Sequence, residues 1–196
     1  MKQILYRVTR PLIKIFVSTI YRPHVIGREN IPKEGSVVLA GNHTNNLDCI
    51  VLISSTKRTI RFLGKHTLFK GISGIIMRGM GVIPVDRTKA KNPEAMNSAK
   101  EVLDDGGIIG IFPEGTINRT DEIIMPFKMG AVALAEKTNS SIVPFVITGE
   151  YRPFGHNLEI EFLCPLRCTG KNITEDNETL MKLISETLER KKNENN

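Results

Sequence analysis

The chain lacks the marks of several protein classes. Cys49, Cys164 and Cys168, its 3 cysteines, are too few and too irregularly placed to frame a disulfide scaffold. A reducing compartment is the simpler reading. There is no C-x-x-C pair, and the 4 histidines do not cluster, so no structural zinc is expected. One histidine near one aspartate leaves a metal coordination sphere short, so neither metal nor cofactor is expected. No apolar run approaches the roughly 20 residues that span a bilayer. Aromatic residues make up only 6% of the chain, which leaves few rings for stacking on bases, and no nucleic-acid partner is expected. Neither G-x-x-x-x-G-K-[ST] nor G-x-S-x-G occurs, which removes the phosphate loop and the serine nucleophile elbow. Low-complexity tracts are absent, and at 196 residues with 40% apolar content the chain can bury one sizeable core.

What is present is a segregated charge. The net charge is +6. Residues 1–33 hold 7 basic residues against Glu29 alone, and residues 57–91 hold 9 against Asp86 alone. Residues 92–170 are acidic on balance. Two segments are therefore ready to meet an anion. In the first, "MKQILYRVTRPLIKIFVSTIYRPHV" sets Arg7, Arg10 and Lys14 among apolar residues. Arginines interrupt the apolar part and no small-residue cleavage site follows, so this is not a signal peptide. Pro11 suits the start of a helix and not its interior, which predicts two short helices divided there. A basic amphipathic helix fits a segment lying on an anionic membrane; the other reading is a helix docked on its own domain.

From residue 36 the pattern becomes α/β. "SVVLA", "IRFLG", "VIPV", "GIIGIF", "IVPFVIT" and "LEIEF" read as strands. Residues 47–56, 67–79, 93–105 and 128–139 read as helices, with Pro93 at a first helical position and Gly106 past a C-terminus. The alternation predicts a mixed, largely parallel sheet flanked by helices. "LEIEF" alternates as an edge strand with one wet face would. Leu180, Leu183, Ile184 and Leu188 predict a C-terminal helix docked by one face, with a frayed "NENN" end. The expected organisation is membrane-associating helices over 1–33, an α/β core over 34–170, and a helix and tail over 171–196.

In such a sheet, ligands bind beyond the C-terminal strand ends, where three polar clusters fall. In "GNHTNNLD", His43 and Asp48 are five apart. They would not share one helix face, so they meet only if His43 lies in a loop and Asp48 in the first turn of the next helix. A carboxylate on one imidazole nitrogen leaves the other as a base. The plainer reading makes these residues turn and cap formers. Cys49 lies in an apolar stretch and reads as packing. With no protein nucleophile in sight, a base here would activate a substrate hydroxyl. The second cluster holds Lys65, Lys70, Arg78, Arg87, Lys89 and Lys91; Arg87 ends a strand and suits a phosphate, and a solvated face or second membrane-facing patch is the alternative. The third, "FPEGTINRT", puts Glu114 and Gly115 after a strand, where Glu114 would orient a hydroxyl, pair with Arg87, or merely form a turn.

Taken together, the clusters resemble the glycerolipid acyltransferase family that includes bacterial 1-acylglycerol-3-phosphate acyltransferases. "NHTNNLD" matches the N-H-x-x-x-x-D block, "GVIPVDR" the block ending in a substrate-binding arginine, "FPEGT" the third block, and "IVPFVITG" the fourth. "GKHTLF" and "PFKMGA" resemble the flanking lysine segments. The likeness spans roughly residues 30–150 and implies the family's α/β core. It implies His43 as general base and Asp48 as its orienting partner. Arg87 would bind the acceptor phosphate, with Lys65, Glu114, Gly115, Thr116 and Arg119 around the acceptor and Pro144 in the acyl or structural wall. The implied partners are a lysophosphatidic acid acceptor and an acyl-CoA or acyl-carrier protein donor, met at the cytoplasmic face of the membrane. Ile117 stands where an arginine often follows the threonine, which leaves the exact head group open. An acyltransferase for another lyso-lipid, or a non-catalytic membrane or nucleic-acid binder, stays as the alternative.

Overall fold

Strand β2 (Val37–Gly41) has no exposed residue, as a strand covered on both faces requires. The computed structural model describes residues 4–86, Thr88 and 92–194. Within them β2 lies in a 7-stranded sheet with β1 (His24–Ile26), β3 (Ile60–Lys65), β4 (Ile83–Val85), β5 (Ile108–Ile111), β6 (Ser141–Thr148) and β7 (Glu159–Phe162). The order is β1-β7-β6-β2-β5-β3-β4, and every pair is parallel except β6 with β7. The helices are α1 (Ile4–Ile20), α2 (Asp48–Ser55), α3 (Gly71–Gly79), α4 (Pro93–Asp104), α5 (Gly130–Thr138) and α6 (Ile173–Glu194).

Alternation along the strands divides the core in two. Val37, Leu39, Phe62, Val143, Phe145 and Phe162 meet Tyr6 and Val17 of α1 and Val51 and Leu52 of α2. Val38, Ala40, Ile109, Ile142 and Val146 meet α4, α5 and α6, including Ala99, Val132, Leu180 and Ile184. The parallel pairing brings the C-terminal ends of β2, β3, β4, β5 and β6 to one rim of the sheet, as the alternating pattern predicted.

Four expectations need correction. α1 is one helix and runs through Pro11. Pro11 and Arg7, whose carbonyl it leaves without a helical partner, are both exposed, so water can satisfy that group. Burial of Tyr6 and Val17 on either side, and the Ile60 backbone N–H donating to the Tyr6 hydroxyl, hold the helix across the proline. Residues 67–79 are not one helix, because Lys70 is extended and a short 3-10 turn over His66–Phe69 precedes α3. α6 continues through Asn193 to Glu194, where fraying was expected; residues 195 and 196 of that end lie outside the described residues.

The fourth correction concerns β7, which is not an edge. The unforeseen strand β1 covers it, and the polar face of β7 is ion-paired rather than wet. Lys191 of α6 reaches Glu159 at 2.6 Å and Glu161 at 3.0 Å, and Arg190 reaches Glu161 at 3.1 Å. Burial pushes the Glu159 carboxyl up, but hydrogen bonds from Lys191 and His24 together outweigh it and hold the group below its ordinary value. A carboxyl with a lowered folded value stabilises the fold above the unfolded glutamate range, about pH 4.3, and that contribution is lost as pH falls through the folded value. Lys191→Met is therefore expected to lower stability by roughly 1.5–3 kcal/mol at neutral pH, the usual worth of hydrogen bonds to charged groups. In urea melts across a pH series, the gap between the variant and its parent should close on the acid side of the glutamate range.

Candidate active site

The rim loop after β2 carries Asn42, His43 and Thr44 into α2, whose first residue is Asp48. This is the loop-to-helix junction the spacing demanded. His43 Nδ1 lies 2.8 Å from Asp48 Oδ2, with Asp48 fully buried. The same oxygen accepts the backbone N–H groups of Thr44 at 2.7 Å and Asn45 at 2.9 Å. Its twin, Oδ1, accepts the Tyr151 hydroxyl at 2.5 Å and the Thr44 hydroxyl at 3.2 Å. A carboxylate met on every side by donors sets the tautomer: Nδ1 carries the hydrogen and Nε2 presents a lone pair.

The imidazole is held by its face as well as its edge. Phe112, directly after β5, stacks on it with ring centroids 4.0 Å apart and 14° between planes. Phe145 of β6 stands edge-on behind Phe112 at 5.9 Å. The backbone of the loop is fixed by two further clamps. Asn42 exchanges hydrogen bonds with the backbone of Ile147, donating at 2.9 Å and accepting at 2.8 Å. Glu114 accepts the His43 N–H at 2.8 Å through one oxygen and the Met125 N–H at 3.0 Å through the other. Burial pushes the Glu114 carboxyl up, opposed by those two amides.

The structure thus joins the first and third clusters. Asn118 donates its N–H to the His43 carbonyl at 2.8 Å, which brings exposed Arg119 beside the same loop. Gly115 has φ 77, a left-handed turn that favours glycine, and a Cβ there would stand 2.7 Å from Lys128 Nζ. Thr116 is exposed on that turn. Lys65 is exposed at the C-terminal end of β3, two strands from β2. Pro144 stands away from the loops, buried within β6 in register with Ala40. Of the second cluster, Arg87, Lys89 and Lys91 lie outside the described residues.

Two contributors were missed in sequence. Tyr151 lies 103 positions beyond Asp48 and no spacing rule connects them. Burial, followed by the adjoining Asp48 carboxylate, pushes its hydroxyl up, so it stays a donor. Phe112 read only as the end of an apolar run. Lys128, in the "PFKMGA" segment, was legible, and its amine lies against Gly115, where a Cβ would stand 2.7 Å from it.

The family described as Acyltransferase matches residues 22–148. The chain belongs to that family. It is 38% identical over 125 residues to the 1-acyl-sn-glycerol-3-phosphate acyltransferase of Borreliella burgdorferi, covering 63% of this chain and 50% of that protein. It is 32% identical to a chloroplast enzyme of the same name from Arabidopsis thaliana, covering 72% and 40%. With the Bacillus subtilis protein of that name it shares 30% identity over 74% of this chain and 72% of the relative. The chain therefore spans about half the length of the first two relatives. The crystal structure of a 1-acyl-sn-glycerophosphate acyltransferase from Thermotoga maritima has the same fold, with a TM-score of 0.75 at 21% identity over 95% of this chain and 81% of the other.

In this member of the family, the donors around Asp48 and the acceptor of the His43 amide are expected to be structural necessities. Tyr151→Phe leaves the neighbouring oxygen of a buried carboxylate with one long partner, and Glu114→Gln turns an amide N–H2 toward a backbone N–H. Each should cost roughly 1.5–3 kcal/mol in chemical denaturation, against a fraction of that for exposed Thr116→Ala.

Proposed function

We propose that the chain transfers a fatty acyl group from a thioester to the free glycerol hydroxyl of 1-acylglycerol-3-phosphate, forming phosphatidic acid. The observation that carries this reading is the His43–Asp48 pair, 2.8 Å apart, with its tautomer set by the donors around Asp48. Family membership and the printed names of the relatives support the acceptor. A base aimed at a substrate hydroxyl needs no acyl-enzyme, which favours direct transfer.

In that reaction Nε2 of His43 takes the hydroxyl proton as the oxygen attacks the thioester carbon. The tetrahedral adduct then collapses, the carbon–sulfur bond breaks, and the imidazolium returns its proton to the departing thiolate. Asp48 stabilises the imidazolium and Phe112 offers it an aromatic face. The donor is acyl-CoA or acyl-carrier protein; both present the same thioester. Arg87, with Arg119, Lys65 and Lys128, is assigned to the acceptor phosphate, and Glu114, Gly115 and Thr116 to the wall around its glycerol. Ile117 favours a second reading in which another lyso-lipid is the acceptor. The exposed apolar residues of α1, Val8, Leu12 and Ile15, flanked by Arg7 and Lys14, support a peripheral position on an anionic membrane; the anionic lipids of a cytoplasmic leaflet suit that position. No helix among the described residues is long and apolar enough to cross a membrane.

The test is an assay of purified protein in detergent with a panel of lyso-lipid acceptors and both thioester classes. His43→Ala should lose about 10²–10⁴-fold in rate, the usual contribution of a general base. Initial rates should show sequential kinetics. Ping-pong kinetics with a trapped acyl-protein would replace direct transfer by a covalent route.

A further inference from the structure

We propose that α3 is a second bilayer contact, separate from α1, which seats the active-site rim of the sheet on an anionic lipid surface. This rests on the membrane reading above and extends it to a part of the core. α3 displays an apolar row to solvent: Ile72 is 79% exposed and Ile75 64%, with Ile76 and Leu68 exposed beside them. Positions 72, 75 and 76 fall on one helical face. The opposite side is pinned, because Gly74 lies so close to the preceding turn that a Cβ would be 2.2 Å from the Phe69 carbonyl oxygen. The isoleucines are therefore presented by an anchored helix.

The surroundings identify the occupant. No acidic residue occurs between Lys57 and Val85, nor within α1. Lys65 and Lys70 are exposed at the near end of α3, and Arg78 lies at its far end. The nearest acids are Asp86, 3.7 Å from His66, and Glu101 and Asp105 in the cleft that Arg78 lines. The exposed isoleucines themselves, with Lys65, Lys70 and Arg78 about them, suit a plane of anionic head groups over acyl chains. A protein partner would need a matching acidic face; a bilayer supplies one everywhere. At 9 residues the helix is far too short to span, so it lies in the interface.

Continuity supplies the second argument. The end of α3 abuts the start of α1, where a Cβ on Gly79 would stand 2.2 Å from Leu5. The exposed row of α1 begins at that leucine and continues through Val8, Leu12, Ile15 and Phe16. One helix on a membrane can roll about its own axis. Two joined helices define a plane. α3 leaves the sheet from the C-terminal end of β3, the rim at which β2 delivers His43, so that plane adjoins the reaction site.

The chain contains no tryptophan, so a single introduced indole reports its own position. In the full chain, Ile75→Trp should shift its emission to the blue on vesicles of phosphatidylcholine with phosphatidylglycerol, and much less on phosphatidylcholine alone. Ile72→Asp with Ile75→Asp should weaken flotation with the anionic vesicles at least tenfold, with an unchanged circular dichroism spectrum. It should leave transfer to a detergent-dispersed acceptor intact. An indole that stays in water on bound protein, or an aspartate variant that floats like its parent, would overturn the proposal. So would self-association in solution that the aspartate variant abolishes, since the face would then cover a second copy. Loss of dispersed-substrate activity in the unmodified chain would count against the catalytic reading and leave the vesicle result standing.

Discussion

A carboxylate sealed from water must be bonded at every lone pair, and Asp48 is the group on which that requirement falls. Its donors determine much of the architecture around it. Thr44 and Asn45 turn the chain so that two backbone N–H groups face one oxygen, and that turn carries His43 to the same carboxylate. The other oxygen draws in Tyr151 from beyond β6. Tyr151 in turn meets Tyr21, just past α1, edge-on at 5.8 Å. The charge of Asp48 also sits in the first turn of α2, where the helix dipole favours it. Without this carboxylate the loop would keep its clamps to Ile147 and Glu114 but lose the bonds that turn it into α2.

The sheet makes such a site possible by delivering loops from distant segments to one rim. β2 lies at the centre, with β5 on one side and β6 on the other, so His43, Phe112 and the segment after Thr148 emerge side by side. The imidazole is then gripped by an edge contact to Asp48 and a face contact to Phe112. Glu114 spends both of its oxygens on backbone amides, which locks the third motif to the first. A ring held on edge and face loses little freedom when a substrate arrives, which is the economy of a preorganised site.

Charge and hydropathy follow a separate logic from packing. α1 has three sectors: Tyr6 and Val17 face the core, Leu5, Val8, Leu12 and Ile15 face out, and Arg7 and Lys14 lie between. α3 repeats the outward apolar row in a stretch without acids. The acidic residues are placed elsewhere, some on β7 beneath α6, where Lys191 and Arg190 neutralise them. The molecule is therefore polarised, with a cationic, apolar side and an acidic remainder.

Much was legible in the chain itself. Short apolar runs and helical spacings announced an α/β sheet, and the separation of five residues between His43 and Asp48 required a loop meeting a helix. Four ordered motifs announced the family. These features are local, and local chemistry obeys periodicity and turn rules. What stayed hidden was non-local or context-dependent. Pro11 could be read only as a breaker until Tyr6 and Val17 were seen to be anchored around it. Glu159 and Glu161 looked solvated because their partner is on the last helix. Residues 24–26 are too few to signal a strand without β7 beside them. The sequence alone determined which residue types stand at the rim and in what order. Only the tertiary structure decided that Tyr151 completes the Asp48 shell, that Phe112 underlies the imidazole and that Glu114 clamps two loops, because those bonds join groups brought together by folding, whose separations along the chain carry no signal.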